Sequence, residues 1–205
     1  MPAAPPRKYN ATPTLAYAKA AIQDVIVRFG GDPTRLVLLG HSRGAIATQA
    51  IGFADAAMAS LWRGFVAASH YDAACPPGPR RIACETWPYA ESAGGFPGAV
   101  ARARLAADVP KFLTGECDLE TGMALGWLQH AANVSTAAVT AVPSGFRDHT
   151  GFWIARPSAA RTALRSWLER LLGVSNVTSG VAGAAGAAAA TVSLAAARSL
   201  ASLKT

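Results

Sequence analysis

The sequence predicts an α/β fold in which a parallel sheet carries helices on both faces. Two observations predict it. Short, continuous apolar runs such as residues 36–39 are typical of strands buried on both faces of a sheet. Segments with apolar residues at three- and four-residue spacing, typical of amphipathic helices, separate these runs. Strands that alternate with helices in this way form crossover units and a parallel sheet.

The elements follow from local signals. Thr12 is an N-cap residue followed by Pro13 at the first helical position, and the helix that they begin ends at Gly30-Gly31. The first strand covers residues 36–39. Beyond it we predict a helix over 45–59, a strand over 64–68, a helix over 98–106, a strand over 111–114, a helix over 121–132, a strand over 136–142 and a helix over 158–172.

Length and composition indicate one globular domain followed by a tail. The chain has 205 residues, of which 51% are hydrophobic and 15% charged, and this composition excludes a disordered, highly charged chain. We predict a disordered leader over 1–11, a folded domain of roughly 160 residues over 12–173, and a low-complexity Ala/Gly-rich tail over 174–205. The tail is long enough to cross a bilayer, but Ala and Gly drive insertion poorly, so no membrane partner is expected.

Charge and cysteine content bear on partners and compartment. The formal net charge is +7, yet the basic residues form no run of the kind that binds nucleic acid, so no such partner is expected. Each of the chain's three asparagines begins an Asn-x-Ser/Thr pattern, which favours the secretory route, although no signal segment opens the sequence. Cys75 and Cys84 form either a small disulfide loop that leaves Cys117 unpaired, or, with Cys117, three thiols in a reducing compartment.

The segment Gly40-His41-Ser42-Arg43-Gly44 follows the first strand directly and runs into a helix. In that context G-x-S-x-G is typical of a nucleophile elbow, a tight turn that holds the serine exposed at the carboxyl end of the strand. The flanking glycines are expected to avoid clashes there. The alternative is an accidental Gly-Ser turn. Ser42 is therefore the predicted nucleophile.

A serine hydroxyl needs a base to take its proton and an acid to orient that base. The chain order Ser, then Asp or Glu, then His, each after a later strand, is typical of such hydrolases. Asp118 follows the third strand and His149 the fourth, so they are the predicted acid and base. Asp118 as a helix N-cap and His149 as a loop histidine are the alternatives. Asp72 is the rival acid, and Glu116 is a third choice.

The other histidines receive accessory or structural roles. His41 is expected to pack beneath the elbow, His70 to line a pocket, and His130 to lie at a helix surface or to be partly buried. No pair of histidines with cysteines or carboxylates has metal-ligand spacing, so neither a metal nor a cofactor is expected.

From residue 36 to residue 173 the chain resembles the carboxyl-terminal half of an α/β-hydrolase. The elbow with Ala45, Ser69-His70-Tyr71-Asp72, Trp87-Pro88-Tyr89 and Asp148-His149-Thr150 are similar to segments of poorly characterised hydrolase-like proteins. The resemblance implies Ser42 as nucleophile, His149 as base and Asp118 as acid, with the backbone N–H of Arg43 as one oxyanion donor. Candidate pocket residues are His70, Tyr71, Trp87, Tyr89, Trp153 and Phe152, and an ordinary place in the core is the alternative for the aromatic ones.

The chain departs from the family at its amino end. Only about 35 residues precede the elbow strand, so the early strands and the glycine-rich oxyanion loop of such hydrolases are not found. The elbow strand would then be an uncovered apolar edge. We expect a fragment of a longer hydrolase, a partner chain over that edge, or a degenerate hydrolase.

Two functions follow: a serine hydrolase acting on a small ester, thioester or amide, or a non-catalytic binding module.

Overall fold

A computed structural model describes residues 11–73, 95–116, 118–149, 151–174 and 191–193. Within these ranges, the side chains of residues 11, 95, 96, 118–120, 131 and 191–193 are not described. The predictions made for residues 1–10, for the three cysteines, for Trp87 and Tyr89 and for most of the tail lie outside the described residues.

Four parallel strands form the sheet, and a short fifth strand joins it at one edge. The strands are β1 (Val37–His41), β2 (Gly64–Ala68), β3 (Lys111–Thr114), β4 (Val139–Ala141) and β5 (Thr191–Ser193), in the order β4-β3-β2-β1-β5. The α-helices are α1 (Ala11–Phe29), α2 (Arg43–Gly52), α3 (Ala56–Ala59), α4 (Gly95–Leu105), α5 (Asp118–Gly126) and α6 (Ala159–Leu172). A π-helical turn (Trp127–Ala131) continues α5, and a 3₁₀ helix (Gly151–Ile154) precedes α6. The predicted α/β class with a parallel sheet is confirmed.

Alternate residues of β1, β2 and β3 enter two separate core clusters. Leu38, Phe65 and Leu113 belong to the cluster that α1 to α5 cover. Val66 and Phe112 belong to the cluster on the opposite face, which α6 covers. This alternation is the period-two pattern of a strand buried on both sides. Helices therefore lie on both faces of the sheet, as the sequence predicts.

The strand order explains which helix covers which face. From β1 to β4 each connection moves one strand further in the same direction, and right-handed crossovers then place α2 to α5 on one face. The connection from β4 to β5 runs back across the sheet, so its helix, α6, lies on the other face.

The predicted helix over 45–59 is divided into α2 and α3. A Cβ on Gly52 would come within 2.3 Å of the Leu38 side chain, so the chain passes closely over β1 at this point. The Trp62 indole N–H donates to the Gly52 carbonyl at 2.8 Å and caps the end of α2. Asp55 then begins α3, because its carboxylate accepts the Met58 backbone N–H at 2.7 Å.

A segment of the tail pairs with β1. The sequence predicted that a partner chain or a missing amino-terminal half would cover this edge strand. Val37, Leu38 and Leu39 of β1 are in parallel register with the three residues of β5. A strand edge carries backbone donors and acceptors that need partners, and β5 supplies them along this stretch.

Of the helices that the structure describes, none has both the length and the apolar character required to span a membrane.

Candidate active site

The turn between β1 and α2 holds Ser42 in a strained backbone conformation. Its φ is 56° and its ψ is −133°, a combination that non-glycine residues rarely adopt. A Cβ on Gly40 would lie 2.5 Å from the Thr48 hydroxyl oxygen and 2.5 Å from the Ala45 Cα, so this position requires glycine. A Cβ on Gly44 would meet nothing within 4 Å. The expectation that both glycines prevent clashes therefore holds for Gly40 and is wrong for Gly44.

Backbone hydrogen bonds just beyond the strand ends align the loops that carry the site. The Ser42 N–H donates to the Ala68 carbonyl at 2.8 Å, and the Ser69 N–H donates to the Thr114 carbonyl at 2.8 Å. The Ser144 N–H donates to the Gly115 carbonyl at 2.8 Å. The ladder of the parallel sheet thus continues past β1, β2 and β3 and brings the residues that follow these strands to one edge.

Ser42, His149 and Glu116 form a continuous chain of hydrogen bonds at that edge. The Nε2 of His149 lies 2.7 Å from the Ser42 Oγ, and its Nδ1 lies 2.6 Å from the Glu116 Oε1. An ionised carboxylate can only accept, so in the neutral imidazole Nδ1 carries the proton and Nε2 accepts from the serine hydroxyl. Such a chain can supply a nucleophile, a base that takes its proton and an acid that orients the base.

The carboxylate in contact with His149 is that of Glu116, whereas the sequence favoured Asp118 as the acid. Glu116 lies two residues beyond β3, and its side chain is only 14% exposed while that of His149 is 50% exposed. The Ser69 hydroxyl donates to the same Oε1 at 2.8 Å. Asp118 is the first residue of α5, and its side chain is outside the described residues. The carboxylate that contacts His149 in the described residues is that of Glu116, the third choice from the sequence.

Asp72, the rival acid, is paired elsewhere. Its carboxylate accepts the Arg102 Nε–H at 2.8 Å, and both side chains are almost fully buried. Burial raises the pKa of Asp72, and the Arg102 charge opposes that rise. Asp72 thus joins the loop after β2 to α4 through a buried ion pair.

We expect Asp72→Asn to destabilise the fold by about 3 kcal/mol, because it leaves the buried Arg102 charge without its counter-ion. Urea unfolding measures the loss. Asp24→Asn is the matched control, since Asp24 pairs with Arg28 on the exposed face of α1 at 3.3 Å and such pairs contribute little. A folded Asp72→Asn protein of unchanged stability would contradict this role.

Two more histidines flank His149. The ring centroid of His41 lies 5.0 Å from that of His149, and the His70 centroid lies 5.5 Å away. Burial lowers the pKa of both His41 and His70, and the charge of a protonated His149 lowers it further. Near neutral pH both rings are therefore uncharged. His70 thus lies beside His149.

The described aromatic candidates belong mainly to the core. Tyr71 packs against Phe65 and Trp127 at centroid distances of 6.2 and 5.8 Å, and burial raises its pKa. Trp153 is buried in the cluster beneath α6. Phe152 is 69% exposed. Ser69, His70 and Tyr71 line a cavity of about 10 Å³, which has room for one water molecule.

Three contributors to the site were missed or ranked low by sequence reasoning. Glu116 was the third choice, Ser69 had no assigned role, and His41 was expected to pack beneath the elbow. The signal for Ser69 was its place directly after β2, equivalent to that of Ser42 after β1. The fold also brings ligand atoms of His41, Glu116 and His149 within 4.8 Å of one another, although their spacing in the sequence shows no metal motif.

Comparisons with protein-family models, curated proteins and solved structures find no match to this chain. Its function is therefore inferred from the geometry of its own residues.

Proposed function

We propose that this protein is a serine hydrolase of the α/β-hydrolase type that cleaves a small ester, thioester or amide through an acyl-Ser42 intermediate. The observation that carries the proposal is the hydrogen-bonded chain from Ser42 through His149 to Glu116, with contacts of 2.7 and 2.6 Å. The strained backbone of Ser42 between a strand and a helix supports it independently.

The geometry supports a two-stage mechanism. The Ser42 Oγ attacks the substrate carbonyl carbon while His149 Nε2 takes the hydroxyl proton. The protonated imidazole then donates that proton to the departing alcohol, thiol or amine as the bond to it breaks. A water molecule, deprotonated by the same nitrogen, attacks the acyl carbon, and the carboxylic acid leaves as Ser42 regains its proton.

Glu116 acts on this cycle through His149. Its carboxylate selects the tautomer in which Nε2 can accept a proton, and it stabilises the positive imidazole that forms after the transfer. The Ser69 hydroxyl donates to the same oxygen and holds the carboxylate in place. Both are positioning residues.

The start of α2 supports the stabilisation of negative charge on the reacting oxygen. Arg43 is the first residue of this ten-residue helix and directly follows Ser42. Backbone N–H groups at a helix N-terminus point outward and carry partial positive charge. The Arg43 N–H is therefore the oxyanion donor in this proposal.

Burst kinetics with p-nitrophenyl acetate and p-nitrophenyl butyrate test the proposal. If acylation is faster than deacylation, about one equivalent of p-nitrophenol per protein molecule should be released before the steady state. Folded protein that releases none with either ester, and whose steady-state rate does not exceed that of buffer, would contradict the proposal and favour the binding-module alternative.

A further inference from the structure

Beside the hydrogen-bonded chain, the site contains a second arrangement that hydrolysis does not require. His41, Glu116 and His149 each offer one ligand atom, and the three atoms lie within 4.8 Å of one another. Two imidazole nitrogens and one carboxylate oxygen form a ligand set that suits Zn²⁺ and related transition-metal ions. The proposed hydrolytic cycle uses Glu116 and His149 but assigns no step to His41.

The surroundings of the His41 ring are a second observation that favours a bound ligand at this position. Its Nε2 is buried and has no hydrogen-bond partner in the part of the chain that the structure describes. Buried polar atoms nearly always have a partner, and one without a protein partner often faces a water or an ion. His41 is the last residue of β1, so the strand holds its backbone rigidly next to the site.

We propose that His41, Glu116 and His149 form an inhibitory site for a zinc-class divalent ion, with a water molecule as fourth ligand. In tetrahedral zinc sites, neighbouring ligand atoms are roughly 3.3 Å apart, as zinc–nitrogen distances of about 2.0 Å require. The His149 Nδ1 and the Glu116 Oε1 are 2.6 Å apart, so the ion must break their hydrogen bond if it binds both atoms.

Binding of the ion removes the base from the catalytic cycle. If Nδ1 is the ligand, its proton is released or moves to Nε2, and in each case the tautomer that Glu116 selects is lost. If Nε2 is the ligand, its lone pair is occupied and cannot accept the serine proton. The inhibitory part of this inference rests on the proposed hydrolase function, whereas metal binding does not.

Direct metal binding is the first test. The full chain is titrated with ZnCl₂ at pH 7.5 against a fluorescent zinc chelator, and we expect one site. His41→Asn should weaken zinc binding by about tenfold to a hundredfold or more, because a direct ligand is lost. His130→Asn should bind as the wild type does, since His130 is exposed on the π-helical turn and outside the cluster.

Ser42→Ala separates binding from catalysis, because it should retain the zinc site while it loses hydrolysis. His41→Gln replaces His41→Asn if circular dichroism shows that the latter does not fold. Zinc binding equal to that of the wild type in a folded His41 variant would overturn the proposed site.

The second test measures inhibition of ester hydrolysis by zinc, relative to the zinc-free rate of each variant. We expect EDTA to restore the wild-type rate and the folded His41 variant to need at least about tenfold more zinc for the same inhibition. Zinc binding at the expected site without inhibition of an active enzyme would overturn the inhibitory role. Zinc binding to a protein that hydrolyses no ester would contradict the proposed function and leave the metal site intact.

Discussion

Replacing Ser42 with alanine is expected to lower the rate of ester hydrolysis by roughly a thousandfold to a millionfold, because Ser42 supplies the atom that becomes acylated. The p-nitrophenol burst should disappear with it. The measurement is burst and steady-state hydrolysis of p-nitrophenyl acetate by wild-type and variant protein at equal concentration of folded chain.

Ser60→Ala is the matched control for this substitution. Ser60 is exposed after α3, and its hydroxyl donates to the Ala57 carbonyl within that helix, so we expect the wild-type rate. Equal rates for the wild type and Ser42→Ala would place the hydrolysis elsewhere on the protein and contradict the proposed mechanism.

Replacing Glu116 with glutamine is expected to lower kcat by about a hundredfold to ten-thousandfold with little change in KM. The amide cannot stabilise the positive imidazole as a carboxylate does, and its N–H groups can donate to Nδ1 and favour the inactive tautomer. Steady-state kinetics of p-nitrophenyl butyrate hydrolysis separate kcat from KM, and this separation distinguishes a positioning role from a loss of substrate binding.

Asp118→Asn is the informative comparison, because Asp118 lies two residues after Glu116, at the start of α5, and is the acid that the sequence favours. We expect it to keep kcat within about threefold of the wild type if Glu116 orients His149. A large loss in Asp118→Asn together with a small loss in Glu116→Gln would contradict the assignment of Glu116.

The strands were the most predictable part of the fold. The bounds predicted for β2 and β3 match the observed strands, because apolar or β-branched residues occupy most positions of both. β4 is shorter than predicted, and its three residues are only partly buried or exposed, as expected at an edge of the sheet. Helix ends were less predictable where tertiary contacts decide them, as Trp62 does at Gly52.

Strand β5 could not be predicted from local sequence patterns. Its three residues lie in an Ala/Gly-rich tail that has no hydrophobic pattern of its own. What defines the strand is the unpaired edge of β1, more than 150 residues earlier in the chain. A pairing between segments so far apart depends on the finished sheet and leaves no local signal.

For the candidate site, the sequence predicted which loops meet more accurately than it predicted which side chains are in contact. Ser42 and His149 are in contact as expected, because an elbow motif and chain order identify them. Glu116 and Asp118 are two residues apart, in the loop after β3 and at the start of α5, and their spacing alone does not tell which carboxylate faces His149. The bond from Ser69 to Glu116 and the approach of His41 depend on the register of neighbouring strands, which appears only in the folded sheet.

Labelling with a fluorophosphonate probe tests the central claim most directly, because the probe reacts with an activated serine and requires no knowledge of the substrate. Peptide mapping of the labelled wild-type protein should place one adduct on Ser42. His149→Ala should react far more slowly, and Ser42→Ala should not react at all. Folded wild-type protein that carries no adduct on Ser42 would contradict the account.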